Sequence, residues 1–189
     1  MTLLTELYSR QSIPQLTDPA PSPAILEQLF HAADRAPDHG VLKPWRFSII
    51  QNQGREKLGQ LFLTAAQQTS ETPLTAEQST KLLAMPLRAP MIIVVSAHIL
   101  SDHKIPATEQ LLAVGAAVQN LLLAIHALGY AAMWRTGDMA YHPTVKKAFD
   151  LAGQDAIVGF IYVGTPAKAN SYKKIAVRPM SEFVSYWKP

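Results

Sequence analysis

Two short polar clusters and one strand end carry the residue types that hold an anion. Arg10 and Ser12 flank Gln11 in Ser9-Arg10-Gln11-Ser12. A guanidinium can take two phosphate oxygens at once, and a nearby hydroxyl adds a further donor. The same four residues also read as an arginine beside a helix C-terminus, where the exposed carbonyls favour a cation. Taken alone, that second reading is the simpler one. Arg35-Ala36-Pro37-Asp38-His39 is followed by Lys43-Pro44-Trp45. Two prolines restrict this loop, so its polar groups are held in place. His31, Asp34, Asp38 and His39 are all metal-ligand types. Pro37, however, turns Asp38 and His39 away from the helical face that His31 and Asp34 can share. The cluster therefore reads as caps and loop hydrogen bonds before it reads as a metal centre. Trp134-Arg135-Thr136-Gly137 closes a strand, a place where ligands gather and where glycine lets a ligand approach the backbone. In isolation it is equally an ordinary strand exit. Lys173, Lys174 and Arg178 form a basic set near the C-terminus, by default solvated charges. No glycine-rich phosphate loop, dinucleotide fingerprint or nucleophile elbow is present.

The elements that must position these residues follow from periodicity and punctuation. Ser22-Pro23 reads as an N-cap and first helical residue, with Ile25, Leu26, Leu29, Phe30 and Ala33 in helical period up to Ala36-Pro37. Trp45 to Gln51 reads as a strand, Arg55 to Gln68 as an amphipathic helix, and Thr72-Pro73 as the start of a helix running to about Met85. Met91 to Ala97 is a buried strand rich in β-branched residues. Pro106 opens a long apolar helix, Tyr130 to Trp134 is a strand, Pro143 to Leu151 a short helix, and Ala156 to Val163 another buried strand. Alternating helices and strands point to one α/β-type domain over residues 1–166, with an aromatic-rich arm from 167 to 189.

The chain has 189 residues, long enough to bury a core without staples, and no cysteine. Disulfides, thiolate nucleophiles and cysteine-held metal clusters are thereby excluded. A net charge of +3 with scattered cations does not form the basic stripe of a nucleic-acid face. Gln110 to Trp134 contains no Lys, Arg, Asp or Glu and is long enough to cross a bilayer. Gln119, Asn120, His126 and Gly129 interrupt it, so a buried or interfacial helix followed by a strand fits better than a membrane span. Met1 to Arg10 does not read as a signal peptide. The expected location is the cytoplasm.

The motifs also stand in a familiar order. Arg10-Gln11-Ser12 resembles the Arg-Arg-Ser opening of nitroreductases. The Ala36-Pro37 loop leading to Lys43-Pro44-Trp45-Arg46-Phe47 resembles that family's Ala-Pro loop and Gln-Pro-Trp-x-Phe. Trp134-Arg135-Thr136-Gly137 resembles the Trp-Arg-Ser/Thr-Gly element of its small bacterial branch, and Arg88-Ala89-Pro90 and Val158 to Thr165 extend the match over nearly the whole chain. The resemblance implies an α+β fold, a mainly antiparallel sheet flanked by helices, and a homodimer that exchanges C-terminal arms. It implies FMN as cofactor, NADH or NADPH as reductant, and a nitroaromatic, quinone or similar small acceptor. Carried over by position, Arg10, Gln11, Ser12, Arg35, His39, Lys43, Trp134, Arg135 and Thr136 would bind FMN. The flavin would perform the hydride chemistry, with no catalytic side chain and no metal. Three departures stand out: Gln11 where a second arginine is usual, Lys43 where glutamine is usual, and Val41 where many larger relatives carry asparagine. If Lys43 points inward, its charge favours the reduced flavin anion. A flavin-storage module and a metal-dependent hydrolase using the His31–His39 cluster are the competing readings.

Overall fold

The computed structural model describes residues 2–168, 172–173 and 175–188. In chain order these form α1 (Leu3–Ser9), β1 (Leu16–Thr17), α2 (Pro23–Ala33), β2 (Trp45–Gln51), α3 (Gln53–Thr69) and α4 (Ala76–Ala84). There follow β3 (Met91–Ala97), α5 (Ala107–Ala127), β4 (Ala131–Arg135), α6 (Pro143–Ala148) and β5 (Ala156–Pro166), joined by short 3-10 turns.

Every ladder in the sheet is antiparallel: β2 pairs with β3, β3 with β5, and β5 carries β4 and β1 end to end along its other edge. The α/β-type reading drawn from alternation alone is corrected here to α+β. Helices sit between strands in sequence but do not connect parallel neighbours. β3 is buried at all seven positions, so both faces of the sheet need covering. Met91, Ile93, Val95 and Ala97 face α2 and α5, while Ile92 and Val94 face the layer built on α3.

α5 covers the first face. Its buried residues are Gln110, Ala113, Val114, Ala117, Val118, Leu121, Leu122 and Ile125, a spacing of three and four that makes one continuous stripe. By length and composition α5 could span a bilayer, but this stripe packs on the sheet. Buried Gln110 fixes the preceding loop: its amide accepts from Leu100 N (2.9 Å) and donates to the Leu100 and Ile105 carbonyls.

The boundaries differ from sequence expectation where local chemistry intervenes. α4 begins at Ala76, not Pro73, because Thr75 and Gln78 form a reciprocal capping box. α6 stops at Ala148, with Asp150 in the left-handed region (φ 55°) and the Lys146 ammonium on the Gly153 carbonyl. α2 ends at Ala33, three residues before Ala36. β5 runs on to Pro166 because β1, a strand too short to read from sequence, pairs with its end.

Gly159 is required by packing. A Cβ there would collide with the indole of Trp134, whose Nε1 donates to the Val158 carbonyl at 3.1 Å. Gly159→Ala is expected to destabilise the fold by about 1–3 kcal/mol, as overpacking does. Urea denaturation measures this, and a variant as stable as the parent would contradict the packing account.

Candidate functional site

Arg10 terminates α1, its backbone N–H on the Glu6 carbonyl, and the chain then runs extended along β4. Ser12 makes a parallel bridge to Ala132, and Ile13 N donates to the Ala132 carbonyl at 3.0 Å. Among the described residues, the Arg10 guanidinium and the Ser12 hydroxyl make no internal hydrogen bond or ion pair. Ser12 lines a cavity of about 540 Å³ together with Gln11, Ile13, Pro14, Gln15, Met133, Lys168 and Lys173, and Arg10 precedes this lining in the chain. Met133 shares its face of β4 with Arg135. Arg135 lies over the Tyr162 ring (5.6 Å to the centroid) and has a buried Nε without a partner. Trp134 points to the opposite face, and Thr136 is exposed at the strand exit.

A polar cluster holds α1 to α5. The Ser9 hydroxyl donates to the Thr5 carbonyl (2.8 Å), so its oxygen accepts from His126 Nε2, also at 2.8 Å. With its proton engaged on a carbonyl, Ser9 is not an activated nucleophile despite the serine–histidine contact. His126 Nδ1 faces the Tyr172 hydroxyl at 3.5 Å, and its Nε2 also lies 3.5 Å from the Glu6 carboxylate. Burial, and then the Glu6 carboxylate, push the Tyr172 hydroxyl above its ordinary range, so it stays a donor.

The second cluster sits elsewhere on α5. His39 Nδ1 meets the Glu109 carboxylate at 2.6 Å in the first turn of the helix. The Lys43 ammonium does not extend freely: it binds Asp34 at 2.6 Å, and Asp34 also accepts from Trp45 Nε1 at 3.2 Å. Asp38 accepts from the Lys43 backbone N–H at 2.5 Å. Asp34, Arg35, Ala36, Asp38, Val41, Lys43 and Trp45 line a recess of about 200 Å³. Gly40, Val41 and Lys43 all have positive φ (76°, 57° and 47°), the most strained stretch of backbone in the described chain. Gly40 suits the position, since a Cβ there would also meet Ile105; exposed Val41 does not.

The predicted site residues therefore fall into two groups. Arg10, Gln11 and Ser12 join the start of β4 near the C-terminus of α5, whereas His39 is anchored near its N-terminus. Glu109 and His126 are seventeen residues apart, about 25 Å along a helix axis. Arg35 and Lys43 belong with the His39 group. Sequence reasoning missed Asp34 and Glu109 as anchors, along with His126. These partners lie across prolines or far along the chain, and no local pattern announces them. Among the described residues, no three His, Cys, Asp or Glu side chains converge on a common point that could hold a metal. Lys174 lies outside the described residues. Arg178 is held within the arm by Glu182 and Phe183.

A model of the nitroreductase family matches residues 7–165. The Escherichia coli (strain K12) protein named Putative NAD(P)H nitroreductase YdjA is 35% identical over 187 residues, covering 99% of this chain and all of that protein. Among solved structures, a nitroreductase-like family protein from Bacillus cereus matches with TM-score 0.82 and 24% identity, covering 100% of this chain and 97% of the other. The FMN and NADPH-dependent nitroreductase NfnB from Sphigopyxis sp. strain HMH matches with TM-score 0.76 and 15% identity, each chain covered in full.

Two outcomes follow from the Lys43 loop. The Lys43 ammonium, with help from Trp45 and against partial desolvation, holds the Asp34 carboxyl below the usual carboxylate range. A depressed folded-state pKa means the contribution is present above the ordinary carboxylate value and lost as pH falls through the lower, folded one. Carboxyl NMR should show Asp34 titrating low, and Lys43→Gln should return it upward. Val41→Asn, which places a residue tolerant of left-handed backbone at φ 57°, should stabilise the protein by about 1 kcal/mol in urea melts.

Proposed function

Because the chain belongs to the nitroreductase family, we propose that it is an FMN-dependent oxidoreductase acting as a homodimer. It takes reducing equivalents from NADH or NADPH and passes them to a nitroaromatic, quinone or similar small acceptor. When bound, FMN supplies the hydride chemistry, and the protein supplies placement and electrostatics. Arg10 and Ser12 fit the phosphate and ribityl end: both are uncommitted donors, Ser12 lines the cavity that has two lysines on its wall, and Arg10 adjoins that lining in sequence. Arg135, on the same face of β4 as the cavity-lining Met133, brings a buried N–H that needs an acceptor, Thr136 follows at the strand exit, and Trp134 backs the strand from the other face. Arg35, His39 and Lys43 complete the site from the far end of α5. The names of the E. coli and Sphigopyxis proteins support the cofactor and the reductant. The lack of cysteine agrees with a cytoplasmic setting.

The observation that carries the homodimer is the separation of the two groups along α5. The face of α5 opposite the sheet is a mostly apolar strip: Leu112, 68% exposed, continues through Ala116, exposed Gln119 and Leu123 to Ala127. Two copies of α5 packed in opposed directions would bury this strip. They would also bring the Arg10 end of one subunit to the His39 end of the other, twice. Gly115 and Ala116 leave room for close approach. The arm extends the same interface. β2 pairs only with β3 among the described strands, which leaves an open edge beside a recess formed by Ile49, Ile50, Leu61 and Phe149. Phe183, Tyr186 and Trp187 are 58%, 83% and 86% exposed on their own chain, and the partner subunit is the surface available to cover them.

Purified protein should be yellow, and anaerobic NADH or NADPH should bleach it rapidly. A yellow protein that never bleaches would be a flavin carrier instead. Arg10→Ala should weaken FMN binding by about 1.5–3 kcal/mol, or ten- to a hundredfold, in a fluorescence titration. A chain ending at Ala167 should lose both dimer and flavin, read by light scattering and absorbance. If it remained an FMN-loaded dimer, the arm would have no part in assembly.

A further inference from the structure

Gln11 occupies the middle of the anion-binding segment, yet its side chain is fully engaged by the arm. Its Nε2 donates to the Lys173 carbonyl at 2.6 Å, and its Oε1 accepts from the Lys173 N–H at 2.9 Å. A primary amide pairing with both backbone groups of one residue fixes that residue in position and orientation. Three further contacts place the same stretch of arm. Tyr172 packs its ring against His126 (5.6 Å between centroids) and points its hydroxyl at Nδ1, while Ala167 N donates to the Gln15 carbonyl at 3.1 Å. Residues 11–15 and the base of the arm are thus pinned together at both ends. The 540 Å³ cavity lies between them, with Lys173 on its wall. No carboxylate among the described residues lies within ion-pair distance of the Lys173 ammonium.

We propose that Gln11 is a positioning residue that delivers Lys173 to the cavity as the second cation for a phosphate dianion held by Arg10 and Ser12. This inference rests on the FMN reading and deepens it. Gln11 carries no charge and cannot neutralise an anion itself. Its backbone clamp recruits a cation from a segment more than 160 residues away. Gln11 and Lys173 therefore act as one unit: Gln11 sets the position, and the ammonium meets the phosphate. The clamp uses only the main chain of Lys173, so the side chain can be changed without releasing the arm.

The test compares FMN with riboflavin, which lacks the phosphate, by fluorescence titration of the full-length chain stripped of flavin. Lys173→Gln and Gln11→Ala should each weaken FMN roughly tenfold, as loss of one charge-assisted phosphate contact does, and leave riboflavin within about twofold. The double variant should be no weaker than Lys173→Gln alone, and Lys173→Arg should retain FMN affinity. Circular dichroism establishes that each variant is folded, and Lys173→Gln keeps the clamp should Gln11→Ala fail to fold. Unchanged FMN affinity in Lys173→Gln would overturn the proposal. So would equal loss of FMN and riboflavin in Gln11→Ala, since Gln11 would then only tether the arm. A parent chain that binds neither flavin would overturn the FMN reading itself, an outcome separate from the variant pattern.

Discussion

The architecture depends on one constraint, the burial of β3 on both faces. A central antiparallel strand apolar at every position cannot leave either side of its sheet to water, so helices must cover both. α5 meets this demand on one face with a stripe set at three- and four-residue intervals. On its opposite side, also poor in charge, α1 covers only the C-terminal part, and Leu112 toward the N-terminal end stays exposed. The core requirement of the single chain and the proposed need for a second chain thus meet on one helix.

The proposed site follows from the same helix. His126 near its C-terminus holds the segment leading to Arg10, and Glu109 near its N-terminus holds His39. Neither anchor makes chemistry by itself. Each fixes a loop whose polar groups would otherwise be mobile, and the separation between the loops is set by the helix itself. Asp34 acts similarly on Lys43. An ammonium that would be a bare charge becomes half of an ion pair, and its field on any neighbouring ligand is reduced accordingly.

Much of this was legible in the sequence, for identifiable reasons. β2 and β3 were placed to the residue because Pro44 and Pro90 precede them and their composition is strand-like. The long helix was placed because Pro106 starts it and Gly129 follows its end. Motif order supplied Arg10, Ser12, Arg35, His39 and Lys43 as candidates. What the sequence withheld was pairing over distance. Alternation could not show that the strands run antiparallel, since that is set by which strands meet. Nor could it show that Gln11 faces Lys173 or that Glu109 faces His39, because these partners lie 162 and 70 residues apart. Lys43 looked like a free cation because its partner Asp34 sits beyond a proline-bent loop.

α5 also acts as a ruler, with consequences for how the chain tolerates change. Side chains along its buried stripe can be exchanged for others of similar volume with modest effect. Adding or removing one residue is different: everything beyond the change turns by about 100° and shifts by about 1.5 Å. An insertion near Gly115 would rotate the stripe and the outer strip out of phase. Asn120 would leave the Ala32 carbonyl that it now reaches at 3.2 Å, and His126 would leave Ser9. The helix is permissive toward composition and intolerant of length, so its residue count, more than any one side chain in it, is the quantity that divergence must preserve.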